Sequence, residues 1–255
     1  MTRKSYAKVN IFLKIVGKKD SYHQIASRFV LVKNLFDEIS FLKKEVDSFT
    51  LEGNFSCSLE KNTIYKAYKE LEKYKNVKEF FRKHIVKIEK NIPEFAGLGG
   101  GSSNCACFLN MVNEVCKLNL EKEELAKIAL KIGADVPFFV YEYNSANVSG
   151  IGEIVENFIE DSLDIEVITP RIACDTGLIY KTFRAYFYKE LDKVKAKELF
   201  GTNSKDILKQ YNIEDANDLY LPASFLNQDL KNFAKKDWFF SGSGSSFFRI
   251  NSGKN

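Results

Sequence analysis

Pro93-Glu94-Phe95-Ala96-Gly97-Leu98-Gly99-Gly100-Gly101-Ser102-Ser103-Asn104 places four glycines within five residues and follows them with two hydroxyls and an amide. So little side-chain bulk lets the chain turn through positive φ and lets a ligand come close to the backbone. Before it, His84-Ile85-Val86-Lys87-Ile88-Glu89-Lys90 alternates and is β-branched, which predicts a strand. After it, Cys105, Phe108, Leu109, Val112, Val115 and Cys116 recur at helical spacing. They predict a helix that begins near Ser103, capped by Ser102, Ser103 or Asn104. A glycine loop feeding a helix N-terminus gathers unpaired N–H groups and the positive end of the helix dipole at one point, which suits a phosphate. The plain alternative is a glycine turn with a helix cap. Common phosphate loops do not fit: no Lys-Ser or Lys-Thr follows the glycines, Ser102 stands where a dinucleotide loop needs its third glycine, and the chain lacks His-Arg-Asp and Asp-Phe-Gly.

Upstream, residues 5–16 predict a strand with Val9, Ile11, Leu13 and Ile15 on one face and Lys8, Asn10 and Phe12 on the other. Taken alone, that second face is expected to meet solvent. Residues 17–21 predict a turn leading to Tyr22-His23, residues 29–32 and 37–41 two further strands, and residues 49–53 a hairpin partner. A helix opens at Asn62-Thr63-Ile64-Tyr65 with Ile64, Ala67, Tyr68, Leu71 and Tyr74 as its apolar face.

Downstream, residues 122–132 predict an amphipathic helix that Gly133 ends as a left-handed cap. Pro137 is expected to hold Val136 extended, which places Asp135 between that helix end and an apolar strand over residues 136–140. Asn147-Val148-Ser149-Gly150-Ile151-Gly152-Glu153 is a second glycine turn and the expected domain junction, dividing the chain into 1–152 and 153–255. Residues 165–169 predict a strand, residues from Thr176 a helix, and residues 189–220 mostly helix. The end reads strand, glycine turn, strand over residues 239–250. Its Ser241-Gly242-Ser243-Gly244 lies between two Phe-Phe pairs, so a buried second phosphate loop is expected there rather than a flexible linker.

The composition, 45% hydrophobic and 28% charged over 255 residues, is that of a globular protein rich in Phe (22) and Tyr (12). A formal charge of +4, from 38 basic and 34 acidic residues, carries no nucleic-acid or membrane bias. Five cysteines without paired C-x-x-C spacing read as small buried hydrophobes in a reducing compartment, and two histidines argue against a zinc site. No apolar run reaches about 18 residues and the start lacks a signal-peptide core, so a cytoplasmic location is expected.

Three motifs in order, Lys8-x-Asn10, Gly97-Leu98-Gly99-Gly100-Gly101-Ser102-Ser103 and Ser241-Gly242-Ser243-Gly244, resemble the GHMP kinase superfamily. Tyr22-His23, Gly133-Ala134-Asp135-Val136-Pro137 and Gly150-Ile151-Gly152-Glu153 narrow the likeness to the branch acting on a cytidine diphosphate compound. It departs from the usual pattern at Ser21, where a glycine is common, and at Phe95, where a small residue is. The resemblance implies a two-domain α+β fold, an N-terminal ATP-binding domain and a C-terminal substrate domain with the active site in the cleft between them. It implies ATP-dependent phosphorylation of the 2-hydroxyl of 4-diphosphocytidyl-2-C-methyl-D-erythritol, in the methylerythritol phosphate route to isoprenoid (terpenoid) precursors.

By the same resemblance, Asp135 takes the hydroxyl proton, Lys8 orients the hydroxyl and the phosphoryl group, and Asn10 supports the substrate hydroxyls. Tyr22 and Tyr180 sandwich cytosine, His23 reads its edge, and Lys181 sits near the substrate phosphates. Asn62, Thr63 and Lys90 lie by adenine; Gly97, Leu98, Gly99, Gly100, Gly101, Ser102 and Ser103 cradle phosphates; Gly242, Ser243 and Gly244 close over them. ATP is the co-substrate, Mg²⁺ accompanies it without a visible protein metal site, and a monomer or weak homodimer is expected. The alternatives are a sister kinase of homoserine, mevalonate or a sugar, against which the base-stacking pair argues, and a non-catalytic nucleotide sensor, against which Lys8 and Asp135 argue.

Overall fold

Two long strands open the chain, β1 (Thr2–Lys19) and β2 (Tyr22–Lys43), paired with each other. In the computed structural model, which describes residues 1–19, 22–189 and 193–251, β2 is one continuous strand where the sequence reading had two. Residues 17–19, expected in a turn, still belong to β1, and residues 20 and 21 lie outside the described residues. The elements assort into two units, one comprising Met1–Ala7, Lys33–Glu94 and Gly99–Glu142, the other Lys8–Val32, Phe95–Leu98 and Tyr143–Asn255.

In the first unit, β4 (His84–Glu89) runs antiparallel to the end of β2, from Glu38 opposite Glu89 to Lys43 opposite His84. The short β3 (Leu51–Glu52) joins β4 in parallel, so it is a sheet edge rather than the expected hairpin partner. Helix α1 (Thr63–Leu71) begins where the sequence placed it, with Asn62 Oδ1 accepting the Ile64 N–H at 2.9 Å. Its buried Ile64, Ala67 and Leu71 match the apolar face; Tyr74 instead precedes α2 (Lys75–Phe81). The phenylalanine excess has a location: Phe41, Phe49, Phe81 and Phe108 meet edge-to-face or stacked, with Tyr68 on Phe49 at 4.1 Å.

Helix α3 (Gly100–Val115) starts three residues earlier than the spacing predicts, and its N-cap is Gly99 at φ +69°, not Ser102, Ser103 or Asn104. Helix α4 (Lys122–Ile132) agrees with expectation, the Glu124 carboxylate accepting the Glu121 N–H at 3.0 Å. Gly133 is not a left-handed cap: its φ of −174° is ordinary extended backbone, and the chain enters α5 (Val136–Tyr141) almost at once. The apolar run 136–140 is therefore a buried helix, not a strand. Pro137 sits in its first turn, where a missing N–H is harmless, and Asp135 takes the N-cap position.

In the second unit, β5 (Ser145–Gly150) runs antiparallel to the start of β2 and to β6 (Ile154–Asn157). The glycine turn at 150–153 thus closes a hairpin, and Glu153 folds back on the Ile151 N–H into space that a side chain on Gly150 would fill. A second sheet orders β7 (Ile165–Ile168), β9 (Phe247–Ile250) and β8 (Phe239–Phe240). Helices α6 (Thr176–Thr182), α7 (Lys193–Gly201), α8 (Ser204–Gln210), α9 (Ile213–Ala216) and α10 (Tyr220–Leu226) bear out the helical reading of this region. Leu13, Ile15, Ile179, Phe183, Leu219, Trp238, Phe240 and Phe247 share one core.

All five cysteines are unpaired; Cys57 is exposed. Burial raises the other thiols, Cys107 to about 12 and Cys116 and Cys174 to about 11, with Cys105 higher still.

Arg28 is the largest fully buried side chain of the molecule. Its Nε donates to Asn147 Oδ1 at 2.6 Å, its Nη2 to Phe200 O at 2.9 Å, and the guanidinium lies 3.3 Å from the Phe158 ring centre. Burial lowers its pKa to about 10, while nearby Glu160 acts in the opposite direction. The side chain thus caps the carbonyl end of α7, where a cation is favoured. Arg28→Met removes these donors from Asn147 Oδ1 and from the end of α7, where Phe200 O keeps only its bond from Asn147 Nδ2, and urea denaturation is expected to register a loss of about 2–4 kcal/mol.

Candidate active site

In the second unit, Lys8 has 2% of its surface exposed and Asn10 1%, which overturns the solvent-facing reading of this strand face. The Lys8 ammonium donates to Asn10 Oδ1 at 2.7 Å and stands 4.5 Å from the Phe29 ring centre. Asn10 Nδ2 donates to Ser27 Oγ at 3.0 Å, and Ser27 Oγ donates to Phe12 O. A buried ammonium requires partners of this kind.

The same strand carries the glycine segment, since Lys8 N donates to Leu98 O at 2.9 Å. Leu98 is buried, with 1% of its surface exposed. Gly97, at φ +73°, has no room for a Cβ, because the Ser241 carbonyl occupies that place. Ser241 Oγ donates to Gly97 O at 2.9 Å and Ser246 N to Ala96 O at 3.1 Å. Gly242, at φ +56°, lies against Gly97 and Asn10: a Cβ there would be 3.1 Å from Gly97 O and 3.5 Å from Asn10 Oδ1. Lys8, Asn10, Gly97 and Gly242 are thereby brought together. Gly244, at φ +91°, is backed by the Phe240 ring, and the Ser243 hydroxyl bonds with Thr176 Oγ1 at 2.7 Å. Asn217, which the sequence reading missed, holds this loop by donating to Phe240 O and Gly242 O, each at 2.9 Å.

His23 and Tyr180 also meet in this unit, with ring centres 4.9 Å apart and planes tilted by 30°. Among the described residues, the buried Nε2 of His23 has no hydrogen-bond partner. Burial, then the charges of Arg184 and Lys18, hold this imidazole below the ordinary histidine range, so it is neutral at pH 7. A neutral ring with one unpaired nitrogen beside an aromatic face is equipped to read a flat heterocycle. The Tyr22 side chain lies outside the described residues, and Lys181 is exposed on α6.

In the first unit, Gly99, Gly100, Gly101, Ser102 and Ser103 form the cap and first turn of α3. Ser103 N makes the first intrahelical bond, to Gly99 O at 2.8 Å, so the N–H groups of Gly100, Gly101 and Ser102 precede it. Thr63 Oγ1 donates to Gly101 O at 2.7 Å, which ties the start of α1 to this turn. The Ser103 hydroxyl bonds inward with Ser5 Oγ at 2.7 Å, leaving Ser102 as the half-buried hydroxyl of the pair. Asn62 caps α1, and Lys90 pairs with Asp37. Asp135 is half-buried at the start of α5. Ser5 and Asp37 lie far in sequence from these partners, and nothing local marked them. Among the described residues, no group of three or more His, Cys, Asp or Glu is placed to hold a metal ion, and no helix is long and apolar enough to cross a membrane.

Residues 62–143 match the GHMP kinases N terminal domain family. A Sulfurimonas denitrificans protein named 4-diphosphocytidyl-2-C-methyl-D-erythritol kinase is 52% identical over 259 residues, covering 99% of this chain and 97% of that protein. The chain belongs to this family of GHMP kinases. A family member of the same name from Campylobacter jejuni is 42% identical over 97% of this chain and 99% of its own. A crystal structure of 4-(cytidine 5'-diphospho)-2C-methyl-D-erythritol kinase superposes with a TM-score of 0.75 at 26% identity, over 99% of this chain and 91% of that one. The Methanococcus jannaschii mevalonate kinase shares the fold alone, with a TM-score of 0.60 at 14% identity. The α+β GHMP kinase fold implied by the motifs is borne out.

Gly97→Ala sets a Cβ against the Ser241 carbonyl in a left-handed conformation, and thermal or urea unfolding is expected to show a loss of about 1–3 kcal/mol. The depressed His23 pKa has its own signature. A lowered folded-state pKa means that the unfolded chain binds more protons, so the contribution is complete above 6.5 and declines as pH falls below it. Melting of wild type and His23→Gln across that acid range is expected to show the wild type losing its relative advantage.

Proposed function

We propose that the chain phosphorylates the 2-hydroxyl of 4-diphosphocytidyl-2-C-methyl-D-erythritol with ATP, in the methylerythritol phosphate route to isoprenoid precursors. The observation that carries this reading is the buried Lys8, hydrogen-bonded to Asn10 and tied through its own backbone to the glycine segment. The family's full-length similarity supports the substrate.

Phosphoryl transfer asks the protein to position groups and stabilise charge more than to make bonds. In the proposed step the alcohol oxygen bonds to the γ-phosphorus, the bond from that phosphorus to the β,γ-bridging oxygen breaks, and ADP departs. Asp135 accepts the hydroxyl proton. Lys8 aligns the hydroxyl with the phosphoryl group and offsets its charge, and Asn10 holds the substrate hydroxyls. The N–H groups of residues 97–103, with the Ser102 hydroxyl, carry the ATP phosphates; Gly242, Ser243 and Gly244 supply a second backbone surface for them. Asn62 and Thr63 serve the adenine side. Mg²⁺ held on the ATP phosphates would offset their charge, which asks no carboxylate cluster of the protein. His23, Tyr180 and Tyr22 recognise cytosine, and Lys181 lies toward the substrate phosphates. We assign residues 1–152 to an N-terminal domain that carries most of the ATP contacts together with Lys8, Asn10, Tyr22 and His23, and 153–255 to a C-terminal domain that supplies Tyr180, Lys181 and the loop of Gly242, Ser243 and Gly244. Five unpaired cysteines support a reducing, cytoplasmic location, and we propose a monomer or weak homodimer.

The test is ADP release with MgATP and the cytidine compound, run beside homoserine, mevalonate and galactose. Turnover with the cytidine compound alone is expected; turnover only with another alcohol overturns the substrate assignment. Asp135→Asn is expected to lower kcat by about 10²–10⁴-fold while ATP affinity holds. Near-wild-type turnover would remove Asp135 as the base.

A further inference from the structure

Asp37 lies on β2 in the first unit, wholly buried, and none of the roles above uses it. Its Oδ1 accepts the Asn91 N–H at 2.7 Å and the Ile92 N–H at 2.8 Å. Its Oδ2 accepts from Asn104 Nδ2 at 2.9 Å and from the Lys90 ammonium. Lys90 Nζ also donates to Asn104 Oδ1 at 3.0 Å, and Asn104 Nδ2 reaches Ser5 Oγ at 3.0 Å, the hydroxyl that bonds with Ser103. Residues 90–92 are the entry to the glycine segment; residues 103 and 104 are its exit into α3. One carboxylate therefore holds both ends of the ten residues between.

We propose that Asp37 is a positioning residue for ATP, acting as a clamp that fixes the mouth of the glycine segment before the nucleotide arrives. The inference rests on the reading of that segment as the ATP phosphate cradle. A stretch with four glycines in five residues has more backbone freedom to lose than any other of its length, and a cradle made of N–H groups is effective only when they are already aimed. Fixing both ends moves that ordering from the binding step to the folding step.

The chemistry of the position is specific. Only a carboxylate offers two acceptor oxygens, one for each arm, and a negative charge for Lys90. Lys90 then serves as the counter-ion of the clamp rather than as a contact to adenine. Its ammonium sits under the first turn of α3, and a Cβ on Gly100 would stand 3.5 Å from it and 2.9 Å from Ile92 Cγ2. Gly100 is thus required for helix α3 to close over the clamp.

Asp37→Asn keeps the size and removes one acceptor oxygen and the charge, so one arm opens whichever way the amide turns. Calorimetric titration with MgATP, below the unfolding transition, is expected to show Kd raised about tenfold or more. The KM for the cytidine substrate is expected to stay within about twofold, the split that separates nucleotide positioning from general loss of structure. Asn104→Ala cuts only the exit arm and is expected to raise the ATP Kd by a smaller factor. Wild type that binds no ATP defeats the nucleotide reading and the clamp with it. Wild type that binds ATP beside an Asp37→Asn variant with unchanged Kd defeats the clamp alone. Where Asp37→Asn does not fold, Asn104→Ala carries the comparison, and an unchanged Kd there overturns the proposal.

Discussion

A lysine ammonium taken out of water has to be solvated again by groups that cannot move away. For Lys8 these include the Asn10 amide and the Phe29 face, and the chain of bonds continues through Ser27 to the Phe12 carbonyl. This chain fixes the register of β1, because a slip by one residue would carry Lys8, Asn10 and Phe12 to the opposite face together. Much of the second unit follows from that register. The Lys8 N–H holds Leu98; further along, Ile15 N and Lys14 hold the Asp218 carboxylate, and Asp218 N returns a bond to Leu13 O. Asn217, one residue before, holds the Ser241–Gly244 loop. A single strand thus sets both glycine loops of that unit.

Among the described residues, Arg28, Lys90 and Lys8 are cations withdrawn from solvent, and the partners they include differ in kind. Arg28 spends its fork of donors on helix-end carbonyls and an aromatic face. Lys90 meets a carboxylate. Lys8 shares its charge with an amide and a ring. The planar guanidinium suits a structural anchor, since it satisfies several fixed acceptors at once. A primary ammonium is compact and can exchange partners, which suits the role proposed for Lys8.

Legibility followed the range of the interactions. Helix α4 was readable because its period, its charged face and Glu121–Glu124 all lie within residues 121–132. The start of α3 was not: glycine disfavours helix, yet Gly100 and Gly101 form its first turn because a side chain at Gly100 would strike Ile92. The run at 136–140 is apolar on every side, and period alone does not separate a buried helix from a buried strand. The parallel pairing of β3 depends on β4, which comes 32 residues later. At the site, glycines, Lys8, Asn10 and Asp135 carried signals in their own motifs. Asn104 closes the glycine stretch, but Asp37 is 67 positions away and sits in no distinctive local pattern, so their bond emerged only from the folded chain.

The cysteines have a practical corollary. Cys105 and Cys116 are buried and Cys107 and Cys174 half-buried, all four with their acidities suppressed, while Cys57 stands in the open just ahead of the Asn62 cap. The unaltered chain therefore carries one native attachment point for a thiol-directed dye or spin label. That point lies six residues from the start of α1, so a reporter fixed there would sense the helix that touches the glycine turn without any engineered substitution.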